Sequence, residues 1–210
     1  MKRRFIITAG PTREFLDPVR FLSNPSTGRM GYAIARAAAA KGYEVELVSG
    51  PVALRTPKGV VRHDVVSARD MKRAVDLLLN QPFDGKTFFI ATAAVADWRP
   101  KKIAAKKLKK SEMSSVLKLE RNPDILKSVK GAIKIGFAAE TGSNIEEAKR
   151  KCRDKDAAMI VFNDVTSPGA GFGTITNRVV FVCADGRSEV LPLMTKDAIG
   201  RRIVKFCEAL

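Results

Sequence analysis

Segments of strand length alternate with segments of helical periodicity along the first 162 residues, and this alternation constrains the fold more than any other feature. The run at residues 87–94 is continuous and largely apolar, as expected for a parallel strand buried on both faces. Such alternation predicts a doubly wound, Rossmann-like α/β fold, a mostly parallel sheet with helices on both faces. The predicted strands are 4–8, 44–48, 60–65, 87–94, 133–138 and 157–162, and the predicted helices are 30–41, 68–79, 123–129 and 145–155.

Local signals set two of the helix ends. Gly42 is expected to close the first helix, because glycine adopts the left-handed conformation that commonly ends helices. Asn122 is expected to cap the third helix, with Pro123 at its first position.

The pattern changes after Asn163. A glycine-rich stretch at 167–173 leads to strand-like segments at 178–183 and 189–193, and the Asp185-Gly186 pair between them favours a hairpin turn. A last helix is predicted over 195–209. No Gly/Ser/Pro-rich linker divides the chain, so we expect one domain over residues 1–210 with a C-terminal β-hairpin.

Residues 23–31 place small side chains at the start of the first helix. Free N–H groups and the helix dipole make this a natural seat for a phosphate. Gly28 and Gly31 have a plainer interpretation, since they can also allow close helix–sheet packing. Asn24 taken alone is a turn residue. The P-loop pattern of nucleoside triphosphate-binding proteins is absent. The GxGxxG pattern of dinucleotide-binding proteins is incomplete, which disfavours a nicotinamide dehydrogenase.

A carboxylate and a basic run follow the presumed central strand. Asp97 either caps a turn or holds a ribose hydroxyl or Mg²⁺. Residues 99–110 contain seven basic and no acidic side chains, and Lys107 within this run can neutralise a polyphosphate. Lys151 and Lys155, four apart on a predicted helix, are by default a solvated face.

Composition excludes several classes of function. The single histidine and three scattered cysteines support neither a zinc cluster nor a Cys–His dyad, and such thiols favour a reducing, cytoplasmic setting. No apolar stretch approaches the roughly 20 residues of a membrane-spanning helix. The net charge of +16 favours anionic ligands, but no nucleic-acid-binding module is visible, so neither nucleic acid nor membrane is an expected partner.

Nine ordered blocks together resemble the phosphopantothenoylcysteine synthetase family over nearly the whole chain. The blocks are ITAGPTRE (7–14), DPVRFLSN (17–24), STGRMG (26–31), LVSGP (47–51), AAVADW (93–98), KLKK (107–110), NPDIL (122–126), GFAAET (136–141) and FND (162–164).

The resemblance implies a ligase of coenzyme A biosynthesis that joins 4′-phosphopantothenate to L-cysteine. Bacterial members use CTP, with Mg²⁺ carried mainly by the nucleotide phosphates, and pass through an acyl-cytidylate. By position, Asn24 and Lys107 match the family's catalytic residues. Phosphopantothenate contacts are implied for Asn24, Ser26, Gly28 and Arg20, where Arg20 serves the substrate phosphate or the neighbouring subunit. CTP contacts are implied for Ala91, Thr92, Ala93, Asp97, Lys107, Asn122, Pro123, Asp124, Ile125, Phe137, Lys151 and Lys155.

The resemblance also implies a homodimer, with the hairpin at 178–193 as the candidate dimerisation element. It implies no flavin in this chain and, as a further partner, a phosphopantothenoylcysteine decarboxylase domain or protein. A related ligase using ATP is the main alternative; CTP is preferred because the KLKK and NPDIL blocks look bacterial. A nucleic-acid-binding protein is the alternative from a different class, suggested by the net charge of +16.

Overall fold

The computed structural model describes residues 1–109, 111, 115–140, 142 and 145–210. Lys110 and Thr141, which end two of the sequence blocks, lie outside the described residues. In chain order the described elements are β1 (Arg3–Ala9), β2 (Arg13–Phe15), β3 (Phe21–Ser23), α1 (Arg29–Ala39), β4 (Glu44–Ser49), β5 (Val61–Asp64), α2 (Ala68–Leu79), β6 (Lys86–Ala91), β7 (Trp98–Pro100), β8 (Leu119–Arg121), α3 (Ile125–Ser128), β9 (Ile133–Glu140), α4 (Ile145–Lys155), β10 (Met159–Asp164), β11 (Thr176–Asn177), β12 (Val179–Cys183), β13 (Ser188–Val190), β14 (Met194–Thr195) and α5 (Lys196–Glu208).

The main sheet has the order β13-β12-β10-β9-β6-β1-β4-β5. The six neighbouring strands β10, β9, β6, β1, β4 and β5 are parallel to one another. Strands β12 and β13 are each antiparallel to the strand that follows them in this order of the sheet, β10 and β12 respectively. The chain starts at β1 and winds outward in both directions, so the strand order reverses between β1 and β6. The predicted doubly wound α/β fold is therefore confirmed, and ligands of such folds bind in the crevice at this switch point.

Alternate residues of the central strands face opposite layers of helices. Phe5 and Ile7 of β1 pack with α1 and α5, while Ile6 packs with α2 and α3. Helix α4 covers β10 and β12 on the α2 side. Burial on both faces explains why these strands read as apolar runs.

A glycine in the left-handed conformation lies at or near each end of α1. Helix α1 ends at Ala39, two residues earlier than predicted, and Gly42, with φ of 77°, lies in the turn that follows and donates its N–H to the carbonyl of Ala39 at 2.9 Å. At the other end, Gly28 is the N-cap residue, with φ of 76° and no side-chain cap.

The prediction for α3 was wrong at its first turn. Asp124 caps this helix, accepting the N–H of Lys127 at 2.9 Å, and the helix begins at Ile125. The side chain of Asn122 instead donates to the carbonyl of Ala96 at 2.8 Å. Tertiary contacts with the loop after β6 therefore override the local capping preference.

Two further boundaries differ from the sequence prediction. Strand β6 ends at Ala91 rather than at residue 94, although Ala94 still forms an isolated parallel bridge with Pro11. The hairpin forms as predicted, with Gly186 at φ of 89° in its turn, but β13 stops at Val190. This hairpin is the antiparallel edge of the main sheet.

Two antiparallel pairs extend from the switch point. We call β2–β3 and β7–β8, with the described residues of the loops that join each pair, the arms. Strand β2 packs against β7. The arms carry Asn24 and Lys107 at their margins, so they matter for the site.

Candidate functional site

An open cleft lies at the carboxyl ends of β1, β6, β9 and β10, where a doubly wound sheet binds ligands. We call it the switch-point cleft; its space is about 640 Å³, including its open mouth. The lining residues are Ser26, Thr27, Gly28, Arg29, Met30, Gly31, Thr92, Ala93, Ala94, Phe137, Ala138, Ala139, Asn163, Gly171, Phe172, Asn177 and Lys196. Five sequence-predicted site residues meet here, namely Ser26, Gly28, Thr92, Ala93 and Phe137.

The start of α1 forms one wall of the cleft. Because Gly28 brings no side-chain cap, the first N–H groups of the helix remain available to an anion. A Cβ on Gly31 would lie 2.5 Å from both Ala9 Cβ and Thr92 Oγ1. The helix thus packs tightly on the sheet at Gly31 while presenting its N-terminus to the cleft, so both interpretations of this segment apply.

Asn24 is fixed to the loop after β6. Its Nδ2 donates to the carbonyls of Ala94 at 3.2 Å and Val95 at 3.4 Å. Ala94 in turn donates its N–H to the carbonyl of Gly10 at 2.9 Å. Asn24 therefore joins two loops beside the cleft and is more than a turn residue.

Asn122, which follows β8, contacts Asp97 in the loop between β6 and β7. The N–H of Asn122 donates to the carbonyl of Asp97 at 2.8 Å, and Asn122 Oδ1 accepts from Arg99 at 2.9 Å. The Asp97 side chain is exposed. Its carboxylate is therefore available to a ligand, while Asn122 shapes the loop that carries it.

Five further predicted nucleotide contacts, Ala91, Asp124, Ile125, Lys151 and Lys155, belong to the side of the sheet that α2, α3 and α4 cover. Asp124 and Lys155 form an ion pair, and Lys151 pairs with Glu140. Burial opposes ionisation of Asp124, but hydrogen bonds from Lys155 and from the Lys127 amide outweigh it and lower its pKa. The two lysine side chains keep 31% and 25% of their surface accessible, so they lie on a partly solvated face and are paired there with carboxylates. Ala91 and Ile125 pack in the core next to α2.

Lys107 is exposed on a loop that is anchored immediately after it. Arg20 donates to the carbonyl of Leu108 at 2.8 Å, and Leu108 donates its N–H to the carboxylate of Asp17 at 3.2 Å. Arg20 also forms a 2.5 Å ion pair with Asp17, whose side chain is fully buried. In this structure Arg20 thus supports the loop that carries Lys107.

Two further residues line the cleft, and sequence reasoning gave them no role. Asn163 is 9% exposed, and its Oδ1 is buried without a hydrogen-bond partner in the described part of the chain. Lys196 is 7% exposed and donates to the carbonyls of Gly171 at 2.9 Å and Thr174 at 2.8 Å. Asn163 was detectable, because it directly follows the predicted strand 157–162 and so belongs to the ligand-binding end of the sheet. Burial, and next the charge of Arg29, lower the pKa of Lys196.

Within the described ranges, no group of three His, Cys, Asp or Glu side chains is arranged to hold a metal ion. Likewise, no helix in the described residues combines the length and apolar character needed to cross a lipid bilayer.

The strand order, the open start of α1 and the basic side chains Arg29 and Lys196 in the cleft define a doubly wound α/β protein whose switch-point cleft is suited to anionic ligands. The chain belongs to the DFP family, described as the DNA/pantothenate metabolism flavoprotein C-terminal domain, whose model matches residues 1–210.

Relatives agree with this assignment. The coenzyme A biosynthesis bifunctional protein CoaBC of Bacillus subtilis (strain 168) is 45% identical, over 99% of this chain and 52% of its own length. The CoaBC protein of Escherichia coli (strain K12) is 44% identical, over 95% of this chain and 50% of its own length. The chain thus spans about half the length of the curated relatives it matches.

Solved structures agree as well. The crystal structure of the C-terminal domain of a CoaBC protein is 44% identical, covers 99% of this chain and 94% of that domain, and gives a TM-score of 0.81. Cab2, solved as an H337A mutant with phosphopantothenate-cysteine, gives the same TM-score of 0.81 at 17% identity, over 99% of this chain and 85% of its own. At that identity the likeness demonstrates a shared fold alone.

Proposed function

We propose that this chain is a ligase of coenzyme A biosynthesis that condenses 4′-phosphopantothenate with L-cysteine and uses CTP to activate the carboxylate. The observation that carries the proposal is the match over 99% of the chain, at 44% identity, to the C-terminal domain of a coenzyme A biosynthesis protein. The position of the cleft supports it, because four of the nine blocks that suggested the family, STGRMG, AAVADW, GFAAET and FND, contribute lining residues to it.

In the first step, a carboxylate oxygen of phosphopantothenate attacks the α-phosphorus of CTP. The bond from this phosphorus to the bridging oxygen breaks, and pyrophosphate leaves. Two anions must approach each other, so the barrier falls if cations neutralise the phosphates. Lys107, exposed on its anchored loop, is the residue we assign to this task. Mg²⁺ bound to the nucleotide phosphates would add further positive charge.

In the second step, the amine of cysteine attacks the acyl carbon of the acyl-cytidylate. The carbon–oxygen bond to CMP breaks, the amine loses a proton, and CMP leaves. The acyl group must be held still for the incoming amine, which is a matter of positioning. Asn24 is suited to this, because Ala94 and Val95 fix its amide nitrogen and orient its carbonyl oxygen.

The other assignments follow the geometry. The open start of α1, with Ser26 and Gly28, suits a phosphate or a carboxylate. Phe137 lines the cleft, and an aromatic ring there is able to stack on a base or pack against the pantoyl group. Lys151 and Lys155 are the residues we assign to further nucleotide contacts, and to make them they would exchange Glu140 and Asp124 for acceptor groups of the nucleotide. ATP in place of CTP is the alternative within the same reaction.

We further propose a homodimer that forms through the arms rather than through the hairpin of β12 and β13. The arms expose large apolar side chains, with Val19 57%, Trp98 44% and Phe21 39% accessible. The edge strand β13 offers only Val190 beside Ser188 and Glu189. Sedimentation of Val19→Asp and Val190→Asp distinguishes the two candidate interfaces: only Val19→Asp should give monomers if the arms form the interface.

A decarboxylase domain or protein is the further partner that we propose, since the relatives are about twice as long as this chain. A cytoplasmic setting fits the three free cysteines.

Pyrophosphate release tests the proposal. The protein is incubated with 4′-phosphopantothenate and Mg²⁺, with CTP or ATP, and with or without cysteine. We expect CTP-dependent release, and CMP with the cysteine conjugate only when cysteine is present. Release with ATP alone would change the nucleotide, and no release from a folded sample with either nucleotide would overturn the function.

A further inference from the structure

A second cleft adjoins the switch-point cleft between α1, α5 and the loop after β4. We call it the arginine cleft; its space is about 740 Å³, including its open mouth. Its lining residues are Arg29, Tyr32, Ala33, Arg36, Leu54, Arg55, Ile175, Lys196 and Asp197. Arg29 and Lys196 line both clefts, so a ligand in the first can extend into the second.

The charge of the arginine cleft is unbalanced. Among the described residues, four cationic side chains line it and Asp197 is the one acidic side chain in the lining. Asp197 is engaged by Arg36 at 2.7 Å. Arg29 and Arg55 have no hydrogen bond or ion pair with any residue in the described part of the chain. Lys196 is bonded to neutral carbonyls, and its ammonium group has a third N–H to donate.

Two of these cations stand where helix electrostatics disfavours them. Arg29 is the first residue of α1 and Lys196 is the first residue of α5. The positive end of a helix dipole favours carboxylates and anionic ligands, and repels cations. Lys196 is also buried, and an uncompensated buried cation is costly. An anion placed between the two helix starts would relieve all three costs at once.

We propose that the arginine cleft is a phosphoryl-binding subsite, in which Arg29, Arg55 and Lys196 hold the phosphate end of a ligand that occupies the switch-point cleft. The inference rests on the proposed function only for the name of that ligand. Either the 4′-phosphate of phosphopantothenate or the terminal phosphates of the nucleotide present the required chemistry. Arginine suits this role because its planar fork matches two phosphate oxygens.

Binding of inorganic pyrophosphate to the whole chain, measured by calorimetry without Mg²⁺, tests the subsite without any turnover. We compare the wild type with Arg29→Gln, Arg55→Gln and the control Arg69→Gln, an exposed arginine of α2 that makes the same charge change elsewhere. We expect each cleft variant to weaken binding about tenfold or more, as the loss of one charge-assisted contact should. Arg69→Gln should bind as the wild type does. Equal weakening by all three variants, or no binding by the wild type, would overturn the subsite.

Steady-state kinetics then distinguishes the two sources of phosphate. If the subsite holds the 4′-phosphate, Arg55→Gln should reduce the preference for phosphopantothenate over pantothenate about tenfold and leave the KM for CTP unchanged. If it holds the nucleotide tail, the affinity for CTP should fall while that for CMP does not. If Arg55→Gln changed neither the preference for phosphopantothenate over pantothenate nor the affinity for CTP, the proposal would be contradicted. A chain without ligase activity whose pyrophosphate binding still depends on Arg55 would refute the proposed function and leave the subsite intact.

Discussion

Asp17 accepts the backbone N–H of Leu108 at 3.2 Å, although the two residues are 91 positions apart. The same carboxylate accepts the N–H groups of Val19 and Arg20, each at 2.9 Å. Arg20 closes the arrangement by donating to the carbonyl of Leu108 at 2.8 Å. A fully buried carboxylate in one arm thus fixes the loop of the other arm directly beside Lys107.

Asp17→Asn should impair the activation step more than substrate binding. The amide nitrogen of asparagine cannot accept from Arg20 and Leu108, so the loop loses its anchor and Lys107 its position. We expect kcat for pyrophosphate release to fall about tenfold to a hundredfold, since small misplacements of a reacting group have effects of that size. The KM for phosphopantothenate should change little. Asp64→Asn, at an exposed carboxylate on β5, is the control. Equal kcat for both variants would mean that the anchor does not position Lys107.

Asp17 should also make stability depend on pH. Hydrogen bonds from the Arg20 side chain and from backbone amides hold its pKa well below the usual value near 3.8. A carboxyl group with a lowered pKa contributes stability above its unfolded pKa, and this is lost as the pH falls through the folded pKa. Urea midpoints should therefore fall as the pH drops below about 4, and the fall should be shallower in Asp17→Asn than in Asp64→Asn. Parallel profiles would contradict this.

Lys107→Gln should block pyrophosphate release and leave the fold intact. The side chain is exposed, so its removal disturbs no packing, while the activation step loses a neutralising charge. The measurement is pyrophosphate release with phosphopantothenate, CTP and Mg²⁺, together with circular dichroism. Lys106→Gln is a matched control, since it is exposed on the same loop. Normal release by Lys107→Gln would remove this residue from the activation step.

Asn24→Asp should slow the second step and allow the acyl-cytidylate to accumulate. The substitution removes the N–H donor to Ala94 and Val95 and adds a negative charge beside an anionic intermediate. Quenched reactions with labelled CTP, separated by chromatography, would reveal the trapped species. Asn80→Asp, at the end of α2, controls for the charge change. Unchanged turnover without a trapped species would restrict Asn24 to joining two loops.

Sequence patterns predicted the central architecture because burial on both faces and helix ends leave local signals. The turn after α1 and the turn of the hairpin each contain one glycine in a left-handed conformation, Gly42 and Gly186 respectively. The arms were not predicted, because their three-residue strands are held by distant contacts. For example, the N–H of Arg13 donates to the carbonyl of Val66 at 2.8 Å. Asn122 failed as a cap for the same reason.

The site was predictable where a residue follows a parallel strand or starts a helix, as Thr92 and Gly28 do. Lys196 and Arg55 could not be predicted as site residues, because their place in the arginine cleft depends on which helices and loops pack together in the folded chain. Lys196 starts the last helix of the chain, yet it lies beside Arg29 of the first helix because α1 and α5 pack together. No local pattern contains that pairing.

Gly31 and Gly42 should respond differently to alanine, because one lies under the cleft and the other in open space. A Cβ at position 31 would overlap Ala9 and Thr92, which forces α1 away from the sheet and moves the cleft wall. We expect a loss of about 1–3 kcal/mol in the free energy of unfolding, as overpacking usually causes, together with a higher KM. A Cβ at position 42 would have no atom of the described residues within 4 Å, apart from its chain neighbours, but the φ of Gly42 is +77°. Gly42→Ala should therefore cost about 1–2 kcal/mol through backbone strain and leave KM unchanged. Urea unfolding and steady-state kinetics on the same preparations test both, and a normal KM for Gly31→Ala would mean that the start of α1 does not contact the ligand.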